Sequence, residues 1–436
     1  MNRFILLSLF FFNLSTLNSQ VPRIEINTKS TNIENEVNLS LFKRFQRYNS
    51  KTTDKSDVYE SSINSPKSVT FSNDGTKFYV HSLEGYTTTV FATKNLKKIK
   101  EIKHEFNETN DSLFKDGEYN VFNYKYFQER KNKNFFKGKP VESCISHNGK
   151  YLWVSYYRRD FDPIAQSPSA VAIIDTDKDE IIRVMPTGPL PKMLACSSNN
   201  KYISVTHWGD NTVGLIDISF DNPFDFKYIK HLIVDYQKDL NFSEENINRD
   251  QSCGFCLRGT VFSPDNDYLL VGKMGGSGGI AIIDLDSFMY LGTIKGMKSN
   301  LRHMIIKDDY LFLSTNRTGY VQKTNYKKLL QNVTLKLKSK QKIEYSFWEN
   351  VYVGSGARTI CSSHDGKYIF VAVNNKCKVK VIRSKDMKII STIDADAYPV
   401  GLAVSRDDKY LVVTSQGKKN GGGNSVMIFK VSKPSK

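Results

Sequence analysis

Cysteine is scarce: 6 in 436 residues, and only Cys253 and Cys256, in CGFC, have the spacing of a motif. There is no second CxxC and no HxxxH, so nothing completes a four-ligand zinc site. Residue 257 is Leu rather than His, which excludes c-type haem attachment. A nucleophile elbow is missing, and no strand context carries a carboxylate pair; hydrolytic chemistry therefore has no compact signature here. Long apolar runs are missing too. The longest, from Phe4 to Phe12, falls well short of the roughly 20 residues a membrane span needs.

That short run is informative in another way. Arg3 precedes it, and small and polar residues follow, with a cleavage position after Ser19. This is the pattern of a secretory signal peptide over residues 1–19. It implies an exported protein, in the periplasm or at the cell exterior. No Cys stands at the cleavage position, so a lipid anchor is not expected. Losing Arg3 lowers the formal charge from +17 to +16. A basic exported chain gathers near anions such as envelope polymers. A lysine-rich surface with no partner explains the charge equally well.

What the chain has in quantity is repetition. One motif recurs seven times: SNDGTKFYV at Ser72, SHNGKYLWV at Ser146, SSNNKYISV at Ser197, SPDNDYLLV at Ser263, a shortened KDDYLFLS at Lys307, SHDGKYIFV at Ser363 and SRDDKYLVV at Ser405. The aligned aromatics, from Phe78 to Tyr410, are 73, 51, 66, 42, 58 and 42 residues apart. The shortest intervals match the about 40–45 residues of a four-stranded propeller blade. Within each unit an apolar strand, a turn of Asp, Asn and Gly, and three further strands such as AVAIIDT (170–176) and EIIRVM (180–185) follow in order. Such units cannot bury both faces alone and must pack around an axis.

The expected fold is all-β: a seven-bladed β-propeller over residues 67–431 with four antiparallel strands per blade, followed by a tail at 432–436. The last copy runs out of chain before its fourth strand. The segment 20–66 is expected to supply it, from RIEIN (23–27) or DVYESS (57–62), and so close the ring.

The repeated S-x-D-G-x-x-hydrophobic-hydrophobic-V resembles the YVTN-type, or YncE-like, seven-bladed propeller family. The resemblance covers about residues 67–431 and implies the fold; it does not imply a reaction. Wider similarity reaches lactonase-like propellers and propeller subunits of redox enzymes.

In such a blade the SxDG turn lies on one face of the wheel. Crossover loops and the tips between second and third strands lie on the other. CGFC is then a crossover loop. A strand follows it, so the helix dipole that activates a thioredoxin-type dithiol is missing. A local disulfide between Cys253 and Cys256 is the leading reading, ahead of free thiols and of redox or metal chemistry. Cys144, Cys196 and Cys361 read as small buried hydrophobes.

Five residues before each repeat Ser stand Lys67, Val141, Lys192, Arg258, Arg302 (allowing for the shortened copy), Arg358 and Val400. Five of these seven are basic, at the start of each innermost strand. They form either an anion-binding funnel or a set of blade-to-blade staples with partners such as Glu142, Asp394 and Asp396. Arg158, Arg159 and Trp208 come from tips on the same face. His207 and His303 are the acid–base candidates, although a structural His is the simpler account. Two insertions also reach this face, 105–139 and 237–253; a third, 326–338, has helical spacing and belongs to the opposite face.

The function expected is binding or scaffolding: holding an anionic glycan, a peptide or an envelope protein at the channel. A hydrolytic, lactonase-like enzyme is the alternative, with His207, His303, Arg258, Arg302 and Arg358 as participants. Nucleic acid is the least favoured partner, no cofactor is expected, and the chain reads as a monomer.

Overall fold

The computed structural model describes residues 23–34, 36–118, 132–238, 248–337, 343–417 and 423–433, without the side chains of 332–337. The N-terminal apolar run, the tail from 434, the aromatic stretch 119–131 and the Gly-rich 418–422 lie outside the described residues.

Seven sheets are arranged around one axis. Their innermost strands are Pro66–Phe71, Phe136–Ser146, Pro191–Cys196, Leu257–Phe262, Leu301–Lys307, Ala357–Ser362 and Pro399–Val404, which number blades 1 to 7. Each innermost strand touches the next, and that of blade 7 touches that of blade 1. The chain is thus a seven-bladed β-propeller with four antiparallel strands in each blade.

The repeat motif explains the hairpins. In blade 3 the Ser197 hydroxyl donates to Asn199 at 2.7 Å and accepts the Tyr202 N–H at 2.8 Å. Ser363 does the same with Asp365 and Tyr368, and Ser405 with Asp407 and Tyr410. The fourth motif position takes a left-handed backbone, filled by Gly75, Asn200, Asn266, Gly366 and Asp408. Gly, Asn and Asp recur there because they tolerate that conformation. Where the residue is Asn or Asp, its side chain also accepts the backbone N–H of the preceding blade's turn. The pairs are His147 to Asn200 at 2.7 Å, Ser198 to Asn266 at 3.0 Å and His364 to Asp408 at 3.0 Å.

Period-two alternation builds the core. On the second strand of blade 2, Leu152 and Val154 face blade 1, whereas Tyr151 and Trp153 face blade 3. Seven apolar clusters fill the seven blade interfaces. Each fully buried aliphatic side chain contributes about 1.5–3 kcal/mol.

An N-terminal strand closes the ring, as expected, but it is neither of the two segments anticipated. Asn38–Gln46 pairs antiparallel with Ser425–Ser432 and completes blade 7. Its register shifts between Leu41 and Lys43. Leu39 and Leu41 consequently pack toward blade 6, and Phe45 toward blade 1. Asn38–Gln46 covers both neighbouring interfaces with apolar side chains; RIEIN, with Arg23 and Glu25 on one side, would not. Residues 23–27 form no strand: Ile24 and Ile26 pack beside the blade 6–7 cluster, and the Ile24 N–H donates to Asp396 at 2.9 Å. Asp57–Tyr59 lies parallel outside the closing strand.

Insertions add edge strands and one helix. Glu105–Phe106 extends blade 2, Thr31–Asn32 flanks blade 6 and Ile343–Glu344 flanks blade 4. Helix Tyr326–Leu337, between the third and fourth strands of blade 5, packs Leu329 and Leu330 against the blade 4–5 cluster. Among the described residues no helix is long and apolar enough to cross a membrane.

Candidate anion site at the channel mouth

The register of every innermost strand breaks at the aligned position, and that of Phe136–Ser146 breaks a second time beyond it. Pro66 pairs with Ser82 and Ser68 with His81, leaving Lys67 unmatched. Likewise Arg302 falls between Leu301 and His303, and Val400 between Pro399 and Gly401. Lys192, Arg258 and Arg358 each sit in a break that leaves two residues against one, and Val141 is unmatched between Pro140 and Glu142. A bulge re-aims its side chain and frees its backbone groups. The seven positions aligned in sequence are therefore the seven bulges of the ring.

The freed carbonyls are held by hydroxyls of the preceding blade. Thr414 of blade 7 donates to the Lys67 carbonyl at 3.1 Å, and Thr206 of blade 3 to that of Arg258 at 2.9 Å. Ser314 of blade 5 donates to the Arg358 carbonyl. Ser68 and Thr359 do the same for Val141 and Val400, at 2.6 and 2.7 Å. These bonds fix the backbone from which the cations project.

The charges do not balance. Arg258 donates to Glu142 at 3.2 Å, with both side chains largely buried. Lys192 lies 3.6 Å from Asp250. Among the described residues Lys67 donates only to the neutral Gln416, at 3.2 Å, and an Arg302 nitrogen lies 3.5 Å from the Met274 sulfur. Among the described residues no carboxylate lies within 4.0 Å of Lys67, Arg302 or Arg358. Of the other carboxylates suggested by sequence, Asp394 pairs with Lys378, and Asp396 is buried against Arg44 in blade 7. The ring is stapled at two positions and uncompensated at three.

Electrostatics follow from this imbalance. Burial, reinforced by Arg358, Arg302, Arg258 and Lys192, holds Lys67 well below the usual lysine range. Burial and Arg258 lower Arg358 to about 10. Burial and the facing Arg258 and Arg358 depress Arg302 as well. For Asp250 burial acts upward, but Lys192, a hydrogen bond from Tyr157 and Lys67 outweigh it, and the carboxyl sits below its ordinary value. Clustered cations that destabilise one another are what an anion would relieve.

An aromatic wall stands beside the ring. The Lys192 ammonium lies 3.8 Å from the Tyr157 ring centre and 5.0 Å from that of Trp208. The Trp208 indole donates to the Asp250 carbonyl at 3.3 Å. Cys253 and Cys256 are joined by a disulfide, Cα–Cα 4.9 Å, which packs with Trp208, Leu190 and Ala165. Arg158 bonds the Pro163 carbonyl and lies 5.4 Å from the Tyr157 ring centre. Arg159 is buried away from the mouth, bonding the carbonyls of Lys133 and Ser169 and lying over Phe136.

The two histidines have different surroundings. His303 follows Arg302 on the strand, and its Nδ1 is 3.5 Å from the Ile360 N–H. Burial, with Arg258 and Arg302, lowers it to about 3 and keeps it neutral. His207 is fully buried in blade 3; the Gly188 N–H donates to its Nε2 at 3.1 Å, which leaves the ring proton on Nδ1, facing Thr212 at 2.8 Å. His207, Asp210 and His231 are close enough to hold a metal ion. The Thr212 hydroxyl already bonds one atom of each, at 2.8, 2.6 and 2.7 Å, so the cluster is a hydrogen-bond hub.

Sequence reasoning anticipated Glu142 as a partner but missed Asp250 and the carbonyl-holding hydroxyls. The hydroxyls had a signal: Thr206, Ser314 and Thr414 each stand four residues after the aligned Tyr. Asp250 had none, because it lies in a variable insertion.

No protein-family model matches the chain, and no curated protein sequence does. Solved structures do match. Kuenenia stuttgartiensis hydrazine synthase is similar at 14% identity and a TM-score of 0.57, covering 88% of this chain and 99% of that one. The β-propeller domain of Myceliophteria thermophila Cps50 (Swd1) is similar at 11% identity and a TM-score of 0.55, covering 85% and 98%. At such identities the likeness shows the propeller fold alone.

Proposed function

We propose that this chain is an exported binding propeller of the YncE-like kind, holding an anionic ligand on the crossover-loop face at the mouth of its central channel. The ligand is an anionic glycan, a peptide carboxylate or the acidic surface of an envelope protein. One observation carries the reading: five cations start the innermost strands of one ring, Lys192, Arg258 and Arg358 buried and Lys67 and Arg302 half-buried, and among the described residues two carboxylates answer them. Natural interiors do not leave buried charge uncompensated without cause. The signal-like N-terminus and the Cys253–Cys256 disulfide support an oxidising, exported setting, and the S-x-D-G repeat supports the kinship.

A thermal-shift screen of the mature chain against anionic glycans, envelope fragments and acidic peptides, at low and high salt, tests it. Stabilisation that salt weakens, and that disappears in an Arg302→Met/Arg358→Met variant of normal fold, is expected. No stabilisation by any anion at low salt would refute the reading.

A further inference from the structure

The uncompensated charge is not spread evenly. Glu142 answers Arg258 and Asp250 answers Lys192, on blades 4 and 3. What remains is an arc of Lys67, Arg302 and Arg358 on blades 1, 5 and 6. Val400 of blade 7 lies between blades 6 and 1 at the same level, and Val141 of blade 2 lies beyond, so apolar groups flank the arc. A low-dielectric wall strengthens attraction toward whatever anion enters.

We propose that Lys67, Arg302 and Arg358 form a site for one tetrahedral dianion, a phosphate-type group, either free or at the end of a larger ligand. This rests on the anion-binding reading above and narrows its chemistry. A single carboxylate has two oxygens and one charge; it would leave most of the desolvated positive charge unanswered. A phosphate-type group brings two charges and three terminal oxygens, one for each cation. Two guanidinium forks and an ammonium are the donors that match it. The backbone from which two of the donors project is held in advance: Thr414 fixes the Lys67 carbonyl at 3.1 Å, and Ser314 fixes that of Arg358. A preformed donor set loses little freedom on binding.

Calorimetric titration of the whole chain with sulfate, inorganic phosphate, glycerol 1-phosphate, acetate and heparin tests this. Sulfate and phosphate are expected to bind at least about tenfold more tightly than acetate, a difference of about 1.4 kcal/mol. Arg358→Met should remove that preference, and Arg358→Lys, which keeps the charge and protects the fold, should retain part of it. Glycerol 1-phosphate binding more tightly than phosphate identifies a larger phosphorylated ligand; equal binding identifies the free ion. Sulfate stays a dianion across neutral pH, so its affinity reports Lys67. That amine faces Lys192, Arg258, Arg302 and Arg358, with Asp250 and Glu142 as the nearby acids. Sulfate affinity should fall as pH rises and Lys67 loses its proton, and Lys67→Met should flatten the profile. Heparin binding with no preference for sulfate over acetate would overturn the dianion site and leave the broader function standing. Binding of none of these anions would remove both.

Discussion

The Arg258–Glu142 pair joins blades 4 and 2 across the channel, with both groups mostly withdrawn from water. Such a pair adds little net stability, but breaking it leaves an unanswered charge. Glu142→Gln keeps the shape and removes the charge, leaving Arg258 beside Arg302 and Arg358. It should destabilise the fold by about 3 kcal/mol in low salt. Sulfate should restore part of that loss, because an external anion can take the place of the carboxylate. Urea denaturation with and without sulfate measures both effects; an unchanged midpoint would show that the ring tolerates a further free cation. The ring positions themselves were legible in sequence because they recur at a constant offset from the repeat Ser. Which of them are neutralised was not, since Glu142 belongs to another blade than Arg258 and Asp250 to an insertion.

Among the elements, the closing strand has the most to explain. Asn38–Gln46 is bonded along its length to the last strand of blade 7. Its Arg44 is buried and bonds both Asp57 and Asp396, the latter at 3.1 Å. Asp396 in turn accepts the Ser425 hydroxyl at 2.6 Å. Arg44→Leu should therefore cost about 3–5 kcal/mol by stranding the Asp396 charge, and adding Asp396→Asn should recover much of it. Deleting residues 23–46 should lower the melting temperature far more, since blade 7 then exposes a sheet edge and the apolar faces that Leu39, Leu41 and Phe45 cover. Equal melting of the deleted and complete chains would contradict the closure. RIEIN resembles a strand locally, but local pattern does not say how many faces must be buried.

For the whole molecule, several imidazoles buried in different blades make stability depend on pH. Burial lowers His81, His104 and His303 to about 3. In the unfolded chain each titrates near 6.5. Below that value the unfolded state binds protons that the folded state refuses. Stability is therefore complete above about pH 6.5 and falls as pH drops toward 3, by about 1.4 kcal/mol per pH unit for each such histidine. Urea midpoints at pH 7.5 and 5.5 should differ accordingly, and His303→Gln should reduce the difference. A midpoint that does not change over this interval would mean that the imidazoles are not held neutral.

The repeat, read from the sequence by itself, determined the blade number, the hairpin chemistry and the alignment of the basic positions. Each of these is set by residues within one blade: a Ser bonding five residues onward, an Asn or Gly in a left-handed turn, an apolar alternation of period two. Only the tertiary structure decided the closing strand, the pairing of Arg258 with Glu142 and Lys192 with Asp250, and the hydroxyls that hold the bulges. Those depend on which blades face one another across interfaces and channel, and a linear pattern carries no distance between residues of different blades.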